Sequence, residues 1–313
     1  MADFSFYPPI EPHDVFKLDV GDGHLLHVEV SGNPKGRPAG VLHSGPGAVC
    51  LPQHHRFFDA LAYRIVVFDH RGAGRSTPSG NVAHNTTPHL IADLERLRSR
   101  LGVERWMLFG GSWGSTLALA CAADHPDRVA AMILRGTWLA RAEDIVWLLG
   151  GLRMLAPDRW RDFVAPIPND ERGDLLEAYW LRLSSNDPAV RLSAARCWCA
   201  FEQHLTTLFS PDDPRPRPDQ ELLALARIEA HYFRHGCFLD SERLFTGVAR
   251  LGSTPAVIVH GRYDLLARLE GAWALEQACA DGVAQDRSRC CPFDLRARDS
   301  CSPHRRDRPV GAA

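Results

Sequence analysis

Long apolar runs are missing from this chain of 313 residues, and no stretch would span a bilayer. The opening Met-Ala-Asp-Phe-Ser lacks a basic region followed by an apolar one, so no secretory signal is expected and the location is read as cytoplasmic. An excess of one charge is missing too. With 36 basic and 38 acidic side chains the net charge is -2, which favours neither nucleic acid nor an anionic membrane as a partner. The nine cysteines are odd in number and scattered, with three in the last 24 residues, which argues for reduced thiols rather than a disulfide framework. Lysine is almost absent, occurring only as Lys17 and Lys35, and arginine carries the positive charge, as a GC-rich gene would encode. Internal repeats are absent as well. What is present, 45% hydrophobic and 24% charged residues, suits one large or two small globular domains with a sizeable core.

Strand and helix patterns alternate. Residues 15–20 and 24–30 read as strands joined by the turn Gly21-Asp22-Gly23. Residues 41–43 and 64–69 are short apolar runs ending in Gly-rich loops, as buried strands of a central sheet do. A helical period over 90–101 is followed by strands at 105–109 and 129–134. From 138 to 245 the pattern turns helical, rich in Trp and Leu and punctuated by proline, before a buried strand returns at 255–260. A sheet interrupted by a helical insertion predicts an α/β core, residues 1–137 and 246–282, with a helical cap over 138–245.

The segment Leu108-Phe-Gly-Gly-Ser112-Trp-Gly-Ser-Thr-Leu117 sets a serine on a strand-to-helix turn, flanked by the small residues that a sharp turn requires. Its hydroxyl would stand at a helix N-terminus, where backbone N–H groups and the dipole favour negative charge. That context makes Ser112 a candidate nucleophile rather than part of a plain tight turn. Two loops after strands accompany it. His43-Ser-Gly45-Pro-Gly47 has small residues that let its backbone approach a substrate, and Asp69-His-Arg71-Gly72-Ala-Gly74-Arg75-Ser76 carries an arginine able to anchor a turn. Either loop alone is also explicable as punctuation. Glu202 lies four residues after Trp198, and Glu229 four after Leu225, so each carboxylate sits beside the apolar face of a cap helix. Such placements need a partner. Salt bridges to Arg196 or Arg227 are one possibility, and a bound cation is the other.

These motifs resemble those of the proline iminopeptidase (prolyl aminopeptidase) family of the α/β-hydrolase fold: His-Gly-Gly-Pro-Gly, Asp-Gln-Arg-Gly-x-Gly-x-Ser and Gly-Gly-Ser-Trp-Gly-Ser-Thr-Leu. Asn85-Thr-Thr87, Ala165-Pro-Ile-Pro168, Glu171-Arg-Gly-Asp174, Ala226-Arg-Ile-Glu-Ala-His-Tyr-Phe233 and Val259-His-Gly-Arg-Tyr-Asp264 also look like the family. Ser44 stands where the family has glycine, and His70 where it has glutamine. The resemblance implies a mostly parallel sheet under a helical lid and a serine aminopeptidase that releases N-terminal proline from small peptides. Ser112 would form an acyl-enzyme, and backbone N–H groups of Gly45 and Trp113 would hold the oxyanion. Asp264 would orient the imidazole, Glu202 and Glu229 would bind the substrate ammonium, and Trp138 and Phe233 would line the proline pocket. No cofactor is implied. Another serine hydrolase such as an esterase, or a binding protein of the same fold, are the alternatives. Oligomeric state is not readable.

One residue is missing from this set. In the family the catalytic histidine follows the acid by nearly thirty residues, within a Gly-His-Ser segment. Here no histidine lies between Asp264 and Pro303, and His304, 40 residues after Asp264, sits in an arginine-rich stretch without the strand that should deliver it. Residues 283–313 show neither helix nor strand period and read as an aberrant, disordered tail. Cys290, Cys291, Cys301 and His304 have no spacing that makes a compact zinc site, so no metal is expected. A reading-frame shift near Gly282 accounts for the tail. Permitted codons for 284–300, read one base later, admit Leu-Lys-Ile-Val-Pro-Asp-Ala-Ala-His-Ser-Thr-Phe-Glu-Pro-Gly-Ile, an alternating strand followed by a His-Ser turn. Its histidine codon spans Pro292 and Phe293, 28 residues after Asp264. Made as written, the chain would lack its last core strand and final helix. It is expected to be poorly soluble and essentially inactive, and a soluble monomer with normal turnover on proline amides would overturn that expectation.

Overall fold

Seven strands form one sheet in the computed structural model, which describes residues 6–206, 217–240, 242, 244, 245, 247 and 254–282. They are β1 (Asp14–Asp19), β2 (Leu25–Gly32), β3 (Arg37–Leu42), β4 (Tyr63–Phe68), β5 (Trp106–Gly111), β6 (Val129–Arg135) and β7 (Ala256–Val259). Their order across the sheet is β1-β2-β4-β3-β5-β6-β7. The pairs β1–β2 and β2–β4 are antiparallel, and every other pair is parallel. The turn between the first two strands has Gly21, Asp22 and Gly23 all at positive φ, so glycines flank the single residue that tolerates it least. The tail expected over 283–313 lies outside the described residues.

Most boundaries shift by one to three residues from the sequence reading, the first helix beginning at Thr87 rather than at 90, and two shifts have a clear bearing on the site. β3 begins at Arg37 rather than at 41, because Pro38 and Gly40 disguise its first half. Pro38 is tolerated because pairing with β5 begins only at Ala39, so its missing N–H interrupts no bond on that side. β5 runs on to Gly111, carrying the strand right up to Ser112.

Period-two alternation sorts the strand side chains onto two faces. Val66, Phe68, Leu108 and Leu134 face helices α1 (Thr87–Arg100) and α2 (Trp113–Asp124) and form the main core with them. Ten of the twelve residues of α2 are buried, so it is apolar all round and lies sealed within the fold. Ile65, Val67 and Phe109 point the other way and meet Phe57 and Phe58 in a smaller cluster. That second face thins across the sheet: Met107, Ile133 and Val257 share it and are only half-buried. Among the described residues β7 is the edge strand on that side, and β1 is the edge on the other.

Between β6 and β7 the chain forms α3 (Ala142–Leu148), α4 (Pro157–Val164), α5 (Leu175–Leu183), α6 (Pro188–Thr206) and α7 (Asp219–Arg234). Pro157 and Pro188 open their helices, where a missing N–H costs nothing. Phe163 stacks on Tyr179 and Phe201, at 4.7 and 4.4 Å between ring centroids, and draws α4, α5 and α6 together. A last helix, α8 (Leu269–Gly282), follows β7. Arg141, just before α3, ties this layer to α8 through paired bonds to Glu270, the shorter 2.6 Å, while also holding Asp144 at 3.0 Å. Among the described residues no helix is long and apolar enough to cross a membrane.

The loop after β4 is fixed from within by Arg71, as its position in the motif suggests. Its fully buried guanidinium grips Asp93 through two bonds of 2.7 and 2.9 Å and donates to the carbonyls of Val20 and His84. Removing one partner of a buried pair strands the other charge, and here only the half-exposed Asp22, 3.0 Å from the same guanidinium, would remain to offset it in part. Asp93→Ala is therefore expected to lower the unfolding free energy by about 3–5 kcal/mol, read from urea denaturation.

Candidate active site

Ser112 joins β5 to α2 with φ 52° and ψ -118°, a conformation that non-glycine residues avoid. Small neighbours permit it. A Cβ on Gly110 would lie 2.2 Å from the Gly114 carbonyl oxygen, and one on Gly114 would lie 2.2 Å from that of Leu42. Gly111 has only ordinary contacts, so 110 and 114 are the positions that require glycine. The serine amide donates to the Arg135 carbonyl at 2.9 Å, while the Ser115 amide donates to the serine carbonyl at 2.9 Å and the Ser115 hydroxyl at 2.5 Å. Trp113 opens α2, so its N–H has no acceptor within the helix. Its indole lies buried against Tyr232.

The loop after β3 comes alongside. Ser44 Oγ donates to the Gly111 carbonyl at 3.2 Å, and Gly45 sits at φ 117° with no room for a side chain, since a Cβ there would be 2.6 Å from the Gly47 nitrogen. His43 has one defined tautomer. Its Nε2 accepts from the His70 amide at 3.0 Å, so Nδ1 holds the proton and donates to the Ser44 carbonyl at 2.8 Å. Burial pushes the pKa of His43 down, and pushes that of His70, tilted against it with ring centroids 3.7 Å apart, well below the usual range. Both are neutral structural rings, and neither lines the cavity.

That cavity, of about 320 Å³, brings together Ser112, Gly45, Asp264, Glu202, Glu229, Trp138 and Phe233. Of the catalytic and substrate-binding residues expected from the resemblance, Trp113 is not in its wall, its buried side chain lying next in the chain to Ser112, and His304 lies outside the described residues. Asp264 Oδ1 accepts from the amides of Leu266 and Ala267 at 3.1 and 2.9 Å. Oδ2 is left facing Gly136, another wall residue. Trp138 and Phe233 lie 5.5 Å apart and form an aromatic corner. Among the described residues no histidine lines the cavity.

The two glutamates lie together under the lid. Glu229 on α7 is buried and accepts from the Trp198 indole at 2.8 Å, and its carboxyl is hydrogen-bonded to that of Glu202 on α6. Neither alternative ion pair forms: Arg196 turns to Asp219 at 2.8 Å, and Arg227 Nε is buried without a partner among the described residues. Burial, opposed by the hydrogen bond from the neighbouring carboxyl, pushes Glu202 up to about 7. Burial and the charge of Glu202 hold Glu229 well above the carboxylate range. The pair shares protons at neutral pH and presents acceptor oxygens to the cavity.

Several wall residues escape sequence reasoning. Arg135 and Tyr263 reach the cavity only because β6 and β7 end side by side, and Arg217 enters from the segment just before α7. Trp198 marks the apolar face of α6 in the sequence, and nothing there signals that its N–H would be spent on Glu229.

Comparison with known proteins places this geometry in context. A family model described as the alpha/beta hydrolase fold matches residues 41–289. The proline iminopeptidase of Xylella fastidiosa (strain Temecula1) is 45% identical over 278 residues, covering 88% of this chain and 89% of that protein. The proline iminopeptidase of Xanthomonas citri is 46% identical over 278 residues, with the same two coverages. A proline iminopeptidase-related protein from Thermus thermophilus, at 23% identity, shares the fold, with a TM-score of 0.53 over 90% of this chain and 88% of that one. The fold and its cavity define a hydrolase. Within that class, the chain belongs to the proline iminopeptidase family.

The glutamate pair gives the fold a pH signature. Both groups have a folded-state pKa above their unfolded value, so the folded protein holds more protons from about pH 4.5 upward, and stability drains away as pH rises through that window. The double variant Glu202→Gln/Glu229→Gln is expected to melt with the parent at pH 4 and several degrees above it at pH 8, in thermal scans at the two values.

Proposed function

We propose that this site is built to release proline from the N-terminus of short peptides, and that the chain as written recognises this substrate but turns it over poorly. The observation that carries the reading is a carboxylate pair, Glu229 buried and Glu202 half-buried, in the same cavity as Ser112. Ser112 Oγ attacks the carbonyl of the first residue, and the amides of Trp113 and Gly45 hold the oxyanion, each donor supplying about 3 kcal/mol of transition-state stabilisation. Asp264 Oδ2 is the oxygen that would hold the general-base imidazole in the frame-restored chain. Glu202 and Glu229 accept the substrate ammonium, whose charge displaces the shared proton, and the ring packs into the corner of Trp138 and Phe233. A blocked amine has neither charge nor donors for that pair, so an esterase has no use for it. We place the core at 1–137 and 246–282, the cap at 138–245, and the protein in the cytoplasm.

The base is the missing element, and the frame shift near Gly282 is the account we favour. Without it, catalysis falls to what binding and the oxyanion hole provide, roughly 10³–10⁴-fold over water. The half-buried Met107, Ile133 and Val257 support the loss of a covering helix from the second sheet face. The deciding experiment rereads the codons for 282–313, expresses both frames, and assays a proline amide and its N-acetyl form. The restored chain is expected to cleave the free amine and to lose at least about 100-fold on the acetylated substrate, while the chain as written cleaves neither. Equal cleavage of both substrates would sink the aminopeptidase reading, and full activity of the chain as written would sink the frame shift.

A further inference from the structure

Three side chains from two separate stretches converge outside the cavity, whose wall includes none of them. Asp22 in the β1–β2 turn, His84 in the loop before α1 and His89 in the first turn of α1 bring one ligand atom each to within 4.8 Å of one another. His89 Nδ1 is hydrogen-bonded to Thr86 Oγ1 at 2.7 Å, which leaves Nε2 as its free nitrogen. Asp22 Oδ2 accepts from Arg71 at 3.0 Å, so Oδ1 is the oxygen left over. The same guanidinium nitrogen donates to the His84 carbonyl at 2.8 Å and so fixes the backbone of the third residue. Outer partners of this kind, a hydroxyl behind an imidazole and a donor behind a carboxylate, orient ligands in metal sites.

We propose that Asp22, His84 and His89 bind a divalent transition metal. Two imidazoles and a carboxylate suit zinc, cobalt or nickel, with water in the open position. Bonds of about 2.1 Å bring ligand atoms to within about 3–4 Å of one another, so the three must close by up to about 1 Å on binding. Exposed Asp22 and His84 have room for that movement. Arg71 beside the carboxylate opposes an added cation and holds the affinity to a moderate level. The ion would clip the first hairpin to the head of α1. Asn85, next to His84, accepts from the Tyr232 hydroxyl of α7 at 3.0 Å, so the clip would also brace the segment on which the lid helix rests.

The test uses the purified full-length chain, stripped with chelator and titrated with cobalt(II), then with zinc(II) as competitor. One equivalent is expected, with weak visible bands, no thiolate charge-transfer band, and a melting temperature raised by about 4 °C at a hundredfold excess over Kd. His84→Asn, whose residue tolerates positive φ, and His89→Gln should each weaken binding at least about tenfold and leave metal-free melting close to the parent. If either variant melts low without metal, the other decides. No binding up to millimolar cobalt, binding unchanged in the variants, or a charge-transfer band assigning the metal to cysteines would each overturn the proposal.

Discussion

A serine held at φ 52° costs about 1–3 kcal/mol, and it stays there only because its surroundings leave it no alternative. The surroundings are specific. Gly110 and Gly114 let α2 lie directly on β3 and β5, and the Arg135 carbonyl and Ser115 grip the serine peptide from opposite sides. All of this is buried under a helix that is apolar on every face, so the strain is held by packing rather than by any one bond. The oxyanion loop, the acid and the lid are then arranged around a hydroxyl whose direction is already set.

The lid contributes a second, electrostatic kind of tension. Two carboxyls pressed together, with burial outweighing the charge of Arg217, weaken the free protein, and a ligand ammonium relieves them. Recognition and chemistry therefore come from different layers. α6 and α7 supply the amine site, while the sheet and α2 supply the nucleophile. Arg141, joined at once to Asp144 and Glu270, keeps the two layers in register.

Much of this was legible in the residues because local rules applied. Ser112 was marked by its glycines, and Glu202 and Glu229 by carboxylates at helical spacing from apolar neighbours. The first half of β3 was hidden by Pro38, whose tolerance depends on which neighbour it pairs with, a fact of the assembled sheet. Arg135, Arg217 and Tyr263 were equally hidden, since each enters the cavity through closure between distant segments. Trp198 marks the apolar face of α6 and is buried there, yet its one polar atom holds Glu229. The convergence of Asp22 with His84 and His89 spans more than sixty residues and leaves no local trace.

The two faces of the sheet are sealed unequally, and this bears on the life of the molecule in a cell. The face under α1 and α2 is closed, whereas the strip through Met107, Ile133 and Val257 is half-open. Chaperones and proteases read exposed apolar strand surface, not active sites. Abundance would then be governed by a strip on the opposite side of the sheet from the main core, and a chain with a sound nucleophile turn would be cleared for its back rather than for its chemistry.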